Sequence, residues 1–349
     1  MPRLRRVDCS RPGIVRRRAG RGFVYEQFGR GRVSDPETLQ RIADLAIPPA
    51  WTDVWICPYP NGHIQATGVD AAGRRQYRYH DDWRTRRDGQ KFDRMLEFGK
   101  ALPEMRARVF ADLRGAGLTR DRVLACAVRL LDLGFFRIGT ETYAARNNTF
   151  GLATMRREHV RVTRDGTIHF DYIAKSGKRR VVAMADSEVV AVVRALKRRR
   201  TDGPELLAYQ SGGRWIDVKS HDINDYIRQV SCGEFTAKDF RTWNATVFAA
   251  VALAVSTEVP DKATARQRAV ARAVQEVSHY LGNTPAVCRA SYIDPRVIDL
   301  YEAGDTITWD QTEIGADVAF GQVATQGQIE RAVLRMLTRA GTAAGRKAS

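Results

Sequence analysis

Arg137, Lys175, Arg241 and Tyr292 bring to this 349-residue chain two guanidinium groups, an amine and a phenol, set in GFFRIGTETY, FDYIAKSGK, TAKDFRTWNAT and GNTPAVCRASYIDP. These types match what phosphoryl transfer needs when no metal supplies charge: cations on the non-bridging oxygens, an acid for the leaving alkoxide, and a nucleophile. Arginine suits the first task, because its planar fork grips phosphate in a bidentate way and stays charged. Lysine suits the second. A tyrosine suits the third where the covalent intermediate must reverse, since its phosphate ester lies close in energy to an ordinary phosphodiester.

Each residue also has a plainer reading. Arg137 is then a surface charge, Lys175 a turn residue in Ser-Gly, Arg241 an ion-pair partner of Asp239 near a helix start, and Tyr292 a packing aromatic. Asn283, after a glycine at a helix start, reads as a cap or as one neutral donor to a phosphate oxygen. Competing chemistries are poorly supplied. Asp81-Asp82 is an adjacent carboxylate pair, but arginines surround it, so no metal site is expected. Gly68 and Gly73 have P-loop spacing, but Arg74-Arg75 stand where Lys-Ser/Thr would hold phosphate, so no nucleotide cofactor is expected. Cys9, Cys57, Cys126, Cys232 and Cys288 form no CxxC pair and read as buried reduced thiols.

Charge points to the partner. The chain has 57 Lys and Arg against 40 Asp and Glu, a net +17. Such an excess persists where phosphates neutralise it and release counterions. The basic residues are spread along the chain, from Arg3, Arg5 and Arg6 through Arg84, Arg86 and Arg87 to Lys197, Arg198, Arg199 and Arg200, not gathered on one amphipathic helix. A nucleic acid is therefore favoured over a membrane surface. With no apolar run of spanning length and no signal-like N-terminus, a cytoplasmic, nucleoid-associated protein is expected.

The elements that must position these residues fall into two groups. Residues 1–90 read as a small antiparallel β domain: a helix in SDPETLQRIADLAI, then strands in WTDVWICPYP, GHIQATGVD and RRQYRYH, with TRRDGQK, residues 85 to 91, as linker. Residues 91–349 read as mainly helical, interrupted once by a β-meander from about 159 to 184 that carries Lys175 at a hairpin tip. Gly134 is placed to end one helix, and Thr284 with Pro285 to begin another. The last twenty residues are small and polar and are expected to fray. The fold class is α+β.

In order and context these segments resemble those of type IB DNA topoisomerases of the small poxvirus-like and bacterial kind, over residues 22 to about 300. FFRIGTETY is similar to the family's first-arginine segment, AKSGK to its hairpin lysine, AKDFRT to its KDxRT segment, and GNTP with a tyrosine nine residues after Asn283 to its nucleophile segment. GRRQYRYH resembles the strand that enters the DNA major groove. The resemblance implies Arg137, Lys175, Arg241, Asn283 and Tyr292 as catalytic residues. It also implies Gln76, Tyr77 and Tyr79 as DNA contacts, with Tyr143 and Lys238 supporting them. Poxvirus-like members carry histidine where this chain has Asn283; bacterial members with asparagine also belong. The implied protein is a monomeric clamp on duplex DNA that relaxes supercoils through a 3′-phosphotyrosyl intermediate without ATP or metal. The rival readings are a tyrosine recombinase or integrase, whose HxxR segment here reads Lys238-Asp239-Phe240-Arg241, and a non-catalytic DNA-binding protein.

Overall fold

The computed structural model describes residues 3–134, 136–200, 203–255, 262–308 and 326–347, with side chains up to residue 341. Phe135, two residues before Arg137 in GFFRIGTETY, lies outside the described residues. The chain separates into two compact units, one ending at Lys91 and one beginning at Phe92.

The first unit is an antiparallel sheet of six strands with one helix. Its elements are β1 (Ile14–Ala19), β2 (Gly22–Gln27), β3 (Gly31–Arg32), α1 (Pro36–Asp44), β4 (Thr52–Ile56), β5 (Ile64–Val69) and β6 (Arg75–Tyr79), in sheet order β3-β2-β1-β4-β5-β6. Ile14, Val54, Ile56 and Ala66 from the sheet bury against Ile42 of α1. Asp35 caps α1 by accepting the Thr38 N–H at 2.9 Å, and Pro36 takes the first helical position, where its missing N–H costs nothing. Strands β4 to β6 match the sequence reading, whereas β1 to β3 were not anticipated. In IVRRRA the inward position after Ile14 is an arginine, which hides the alternation of a half-buried strand. Arg16 is tolerated there because it donates to the Pro48 and Trp51 carbonyls at 3.1 and 2.7 Å and stacks over Phe23.

Helix α2 (Asp81–Leu113) includes the polar stretch 85–91, at whose end the two units divide, so the stretch read as a linker is helical. Gly89 costs such a helix about 1 kcal/mol. The stripe Phe92, Met95, Phe98, Leu102, Met105, Val109 and Leu113, spaced by three and four, offsets it by burial.

The second unit is built around α3 (Arg120–Gly134), which is buried continuously from Val123 to Asp132. A helix covered on all sides must satisfy its own charges internally. Arg129 does so with Asp186 at 2.9 Å and Asp132 at 3.0 Å, and Asp132 takes Arg106 as well at 2.8 Å. Around it lie α4 (Glu141–Asn147), the meander β7 (Val160–Val162), β8 (Thr167–Ala174) and β9 (Lys178–Ala185), and α5 (Ser187–Arg198), capped by the same Asp186. Then follow β10 (Ala208–Ser211), β11 (Arg214–Asp217), α6 (Ser220–Ser231), α7 (Ala237–Ala254), α8 (Ala263–Leu281), α9 (Pro285–Ser291), α10 (Pro295–Glu302) and α11 (Gln328–Lys347).

Three further expectations need correction. The helical unit has a second β interruption, the β10–β11 hairpin, turned by Gly212 and Gly213 at φ 54° and 74°. The first part of the C-terminal stretch is packed: α11 buries Ile329, Val333, Met336 and Leu337, a helical stripe separated by small and charged residues, while residues 348 and 349 lie outside the described residues. Nor are all the thiols buried, since Cys232 is exposed at the end of α6. The basic run at the end of α5 is also only partly available to a partner. Lys197 donates to the Arg157 and Val160 carbonyls, and Arg199 is buried on the Leu206 carbonyl at 2.5 Å. No helix among the described residues is long and apolar enough to cross a membrane.

Candidate active site

Four successive carbonyls at the C-terminal end of α8 organise the site. The last carbonyls of a helix have no intrahelical donor and carry the negative end of its dipole, so cations belong there. Arg180 on β9 donates to His279 and Tyr280 at 2.9 and 2.5 Å, Arg241 on α7 to Leu281 at 2.9 Å, and Arg137 to Gly282 at 3.2 Å. Arg137 also donates to the Asn283 side-chain oxygen. Gly282 ends the helix in the left-handed region at φ 64°, which turns the chain sharply into Asn283 and the cap of α9.

Each arginine is delivered by a different local device. Arg137 follows the end of α3, where its carbonyl accepts the Leu152 N–H at 2.8 Å and the next, Ile138, accepts Ala153 at 2.7 Å. That pairing needs Gly139, at φ 75°, to lie against Gly151; a Cβ on Gly139 would come within 2.8 Å of the Gly151 Cα. Arg241 is buried, 4% exposed, in the second turn of α7. Asp239 closes the helix start by accepting the Thr236 N–H at 2.7 Å and takes Arg94 at 3.2 Å. Burial and the neighbouring Arg137 pull the Arg241 guanidinium down to about 10, partly offset by Tyr292.

Tyr292 terminates α9, as the sequence reading expected, with Thr284 capping and Pro285 opening that helix. Its carbonyl accepts the Thr246 hydroxyl at 3.3 Å, and the same hydroxyl accepts the Asp294 N–H at 3.1 Å. One helix, α7, thus holds both the backbone of Tyr292 and the cation beside its ring, with the Arg241 guanidinium carbon 5.3 Å from the ring centre. Burial works against ionising the phenol, but Arg241 and Arg137 outweigh it and hold the Tyr292 pKa below the ordinary phenol value. The Asn283 amide nitrogen is buried without a hydrogen-bond partner, close enough to favour the Tyr292 phenolate but not aligned for a full bond. A buried unpaired donor costs free energy, so this one is open to an incoming acceptor.

Lys175 is exposed at the tip of the β8–β9 hairpin, between the last ladder pair Ala174 and Lys178, in a turn where Ser176 and Gly177 both have positive φ. It lines one cleft with Arg137, Arg241, Arg180, Lys178 and Tyr172. Sequence reasoning passed over Arg180, Lys178 and Tyr172. The available signal was the two-residue alternation of a hairpin, which puts Lys178 and Arg180 on the face of their cross-strand partners Ala174 and Tyr172. Thr246 was missed too, and local sequence carries no sign of its role.

Arg137, Lys175 and Arg241 thus line one cleft, and the other two candidates adjoin its arginines, Asn283 through its bond from Arg137 and Tyr292 through its ring beside Arg241. Tyr143 is half-buried on α4 and Lys238 is exposed in the first turn of α7. Gln76, Tyr77 and Tyr79 belong to the first unit, on the edge strand β6. There Tyr77 and Tyr79 are exposed and stacked with ring centres 6.0 Å apart. Gln76 faces the other way, donating to Asp70 at 2.8 Å.

The family model described as the eukaryotic DNA topoisomerase I catalytic core matches residues 80–313, and that of the bacterial DNA topoisomerase IB N-terminal domain matches residues 22–70. The DNA topoisomerase 1B of Acanthamoeba polyphaga mimivirus is 30% identical over 297 residues, which is 83% of this chain and 88% of that protein. The DNA topoisomerase 1 of Mycosarcoma maydis is 24% identical over 280 residues, 70% of this chain but 26% of its own length. The chain belongs to the type IB DNA topoisomerase family.

Proposed function

We propose that this isomerase relaxes supercoiled duplex DNA by transient cleavage of one strand. Tyr292, as the phenolate, attacks a backbone phosphorus, forming a 3′-phosphotyrosyl bond as the bond to the 5′ oxygen breaks, and Lys175 gives a proton to that departing oxygen and takes it back when the 5′ hydroxyl attacks in religation. Arg137 and Arg241 balance the charge of the pentacoordinate state, and the free Asn283 donor takes a non-bridging oxygen. The freed 5′ hydroxyl end swivels under torsion, then attacks the phosphotyrosyl ester and expels the phenolate. The phosphotyrosyl ester conserves the broken phosphodiester, so the cycle needs no ATP, and Arg137 and Arg241 supply the charge that a metal ion would otherwise bring. Gln76, Tyr77 and Tyr79 orient the duplex through its groove, with Tyr143 and Lys238 supporting, in a monomeric, nucleoid-associated bacterial protein.

The observation that carries this reading is the phenol of Tyr292 flanked by Arg241, Arg137 and the unpaired Asn283 donor, with its pKa held down despite burial. A recombinase would use the same chemistry, but exchanges strands only at its target sites. The test uses supercoiled plasmid in EDTA, and end-labelled duplex resolved on a denaturing gel. Relaxation without a target site and a DNA–protein adduct are expected, both abolished in Tyr292→Phe. Adduct formation by Tyr292→Phe removes Tyr292 as nucleophile, site-dependent exchange transfers the chain to the recombinases, and salt-sensitive binding with no adduct leaves a binding protein.

A further inference from the structure

We infer that Arg180 is a positioning residue for proton delivery: by tying β9 to the end of α8, it sets where the hairpin tip presents Lys175. The inference deepens the reading of Tyr292 as nucleophile and Lys175 as acid, and rests on it. Lys175 sits on a three-residue turn that protrudes beyond the last ladder pair, and both of its neighbours in that turn take left-handed backbone angles. Such a tip has little of its own to fix its direction; the strands must do so. On the far strand, Arg180 stands two residues from the last paired position and spans out to the His279 and Tyr280 carbonyls.

Those carbonyls belong to the same helix end that Arg241 and Arg137 hold at Leu281 and Gly282. The hairpin and the two phosphate-binding arginines are therefore registered on one rigid frame, the last turn of α8. The Arg180 stem also lies against Gly282, 3.4 Å from where a Cβ would stand, so the strand and the turn into Asn283 pack directly. Its cross-strand partner Tyr172 is buried, and the Arg180 charge acts on its phenol against the effect of that burial. A fork that bridges two carbonyls defines an angle as well as a distance, which a single ammonium donor does not. Proton transfer in the transition state demands hydrogen-bond reach of the leaving oxygen, so a displaced tip weakens the acid more than it weakens phosphate binding.

The test separates acid delivery from phosphate binding by changing the leaving atom. Single-turnover cleavage is measured on a duplex with the natural 5′ oxygen at the scissile bond and on one with a 5′-bridging sulfur, whose thiolate departs without a proton. Arg180→Ala is expected to slow cleavage of the oxygen duplex by about 10²-fold, within the range of general-acid effects, and to cleave the sulfur duplex about as fast as the unsubstituted protein. Lys175→Ala should show the same contrast. Arg180→Lys, which keeps the charge but not the fork, should show it in weaker form, and reads the point if the alanine variant does not fold. Equal slowing on both duplexes, or no slowing on either, overturns the inference. Absence of any adduct from the unsubstituted protein would instead remove the proposed function, so the two failures are told apart.

Discussion

At the scale of single residues, the half-buried phenol of Tyr292 is favoured toward its ionised form by neighbouring cations. Burial alone would push Tyr292 up and keep it protonated; two guanidinium groups reverse the sign. Their own charges are shared with helix carbonyls, Arg241 with that of Leu281 and Arg137 with that of Gly282. Asn283 completes the set as a neutral donor. If the phenolate is the reacting form, the cleavage rate rises with pH and levels off at an inflection below 10. Asn283→Ala should lower the plateau about 10²- to 10³-fold, as loss of one oxyanion donor does, and move the inflection upward, because a group favouring the phenolate is gone. A single-turnover pH profile reads both, and an unchanged plateau takes Asn283 out of the chemistry.

At the scale of elements, the site is a meeting of ends: the exit of α3, the second turn of α7, the last turn of α8, the close of α9 and a hairpin tip. What holds them from behind is α11. Glu330 accepts the Trp243 indole N–H at 2.9 Å and pairs with Arg106 at 2.6 Å, linking α11 to α7 two residues after Arg241 and to α2. Burial opposes the charge on Arg106, but Asp132 and Glu330 more than offset it. Glu330→Ala leaves a buried indole N–H unsatisfied and removes one of the two carboxylates on Arg106, which keeps Asp132, a loss of about 2 kcal/mol. Urea unfolding followed by tryptophan fluorescence should register it as a lower midpoint. A midpoint equal to the parent would mean that α11 is not anchored through Glu330.

At the scale of the molecule, the excess of +17 divides into cations used for folding and cations free for a polyanion. Arg16, Arg106, Arg129, Lys197 and Arg199 are consumed by carbonyls and carboxylates inside the units. Tyr77 and Tyr79 present stacked apolar rings with no charge. The two kinds of contact respond differently to salt, since counterion release follows the phosphates neutralised, with a slope of about −0.9 per contact on duplex DNA. Tyr77→Ala should therefore weaken DNA binding at every salt concentration and leave the slope of log affinity against log salt unchanged. A flatter slope in that variant would mean that the ring acts by arranging charged neighbours. Fluorescence anisotropy across a salt series makes the measurement.

Much of the site was legible in the sequence because its residues sit in short segments whose types state their chemistry: a phenol after a capped turn, an amine at a hairpin tip, arginines after glycine or within a helix start. Helices α3, α5 and α8 and strands β4 to β9 were legible for a related reason, since periodicity and turn residues act over a few positions. Strands β1 to β3, the helical course of 85–91 and the anchoring of α11 were not. In each, the deciding energy comes from partners distant in the chain: carbonyls that make an inward Arg16 tolerable, a core that outweighs Gly89, and an indole that fixes Glu330. Composition and local pattern alone determined which groups were present and which reaction they suit. Only the packed structure decided that Arg180, Arg241 and Arg137 converge on one helix end, because long-range contacts, and not neighbours in sequence, carry those guanidinium groups to the same few carbonyls.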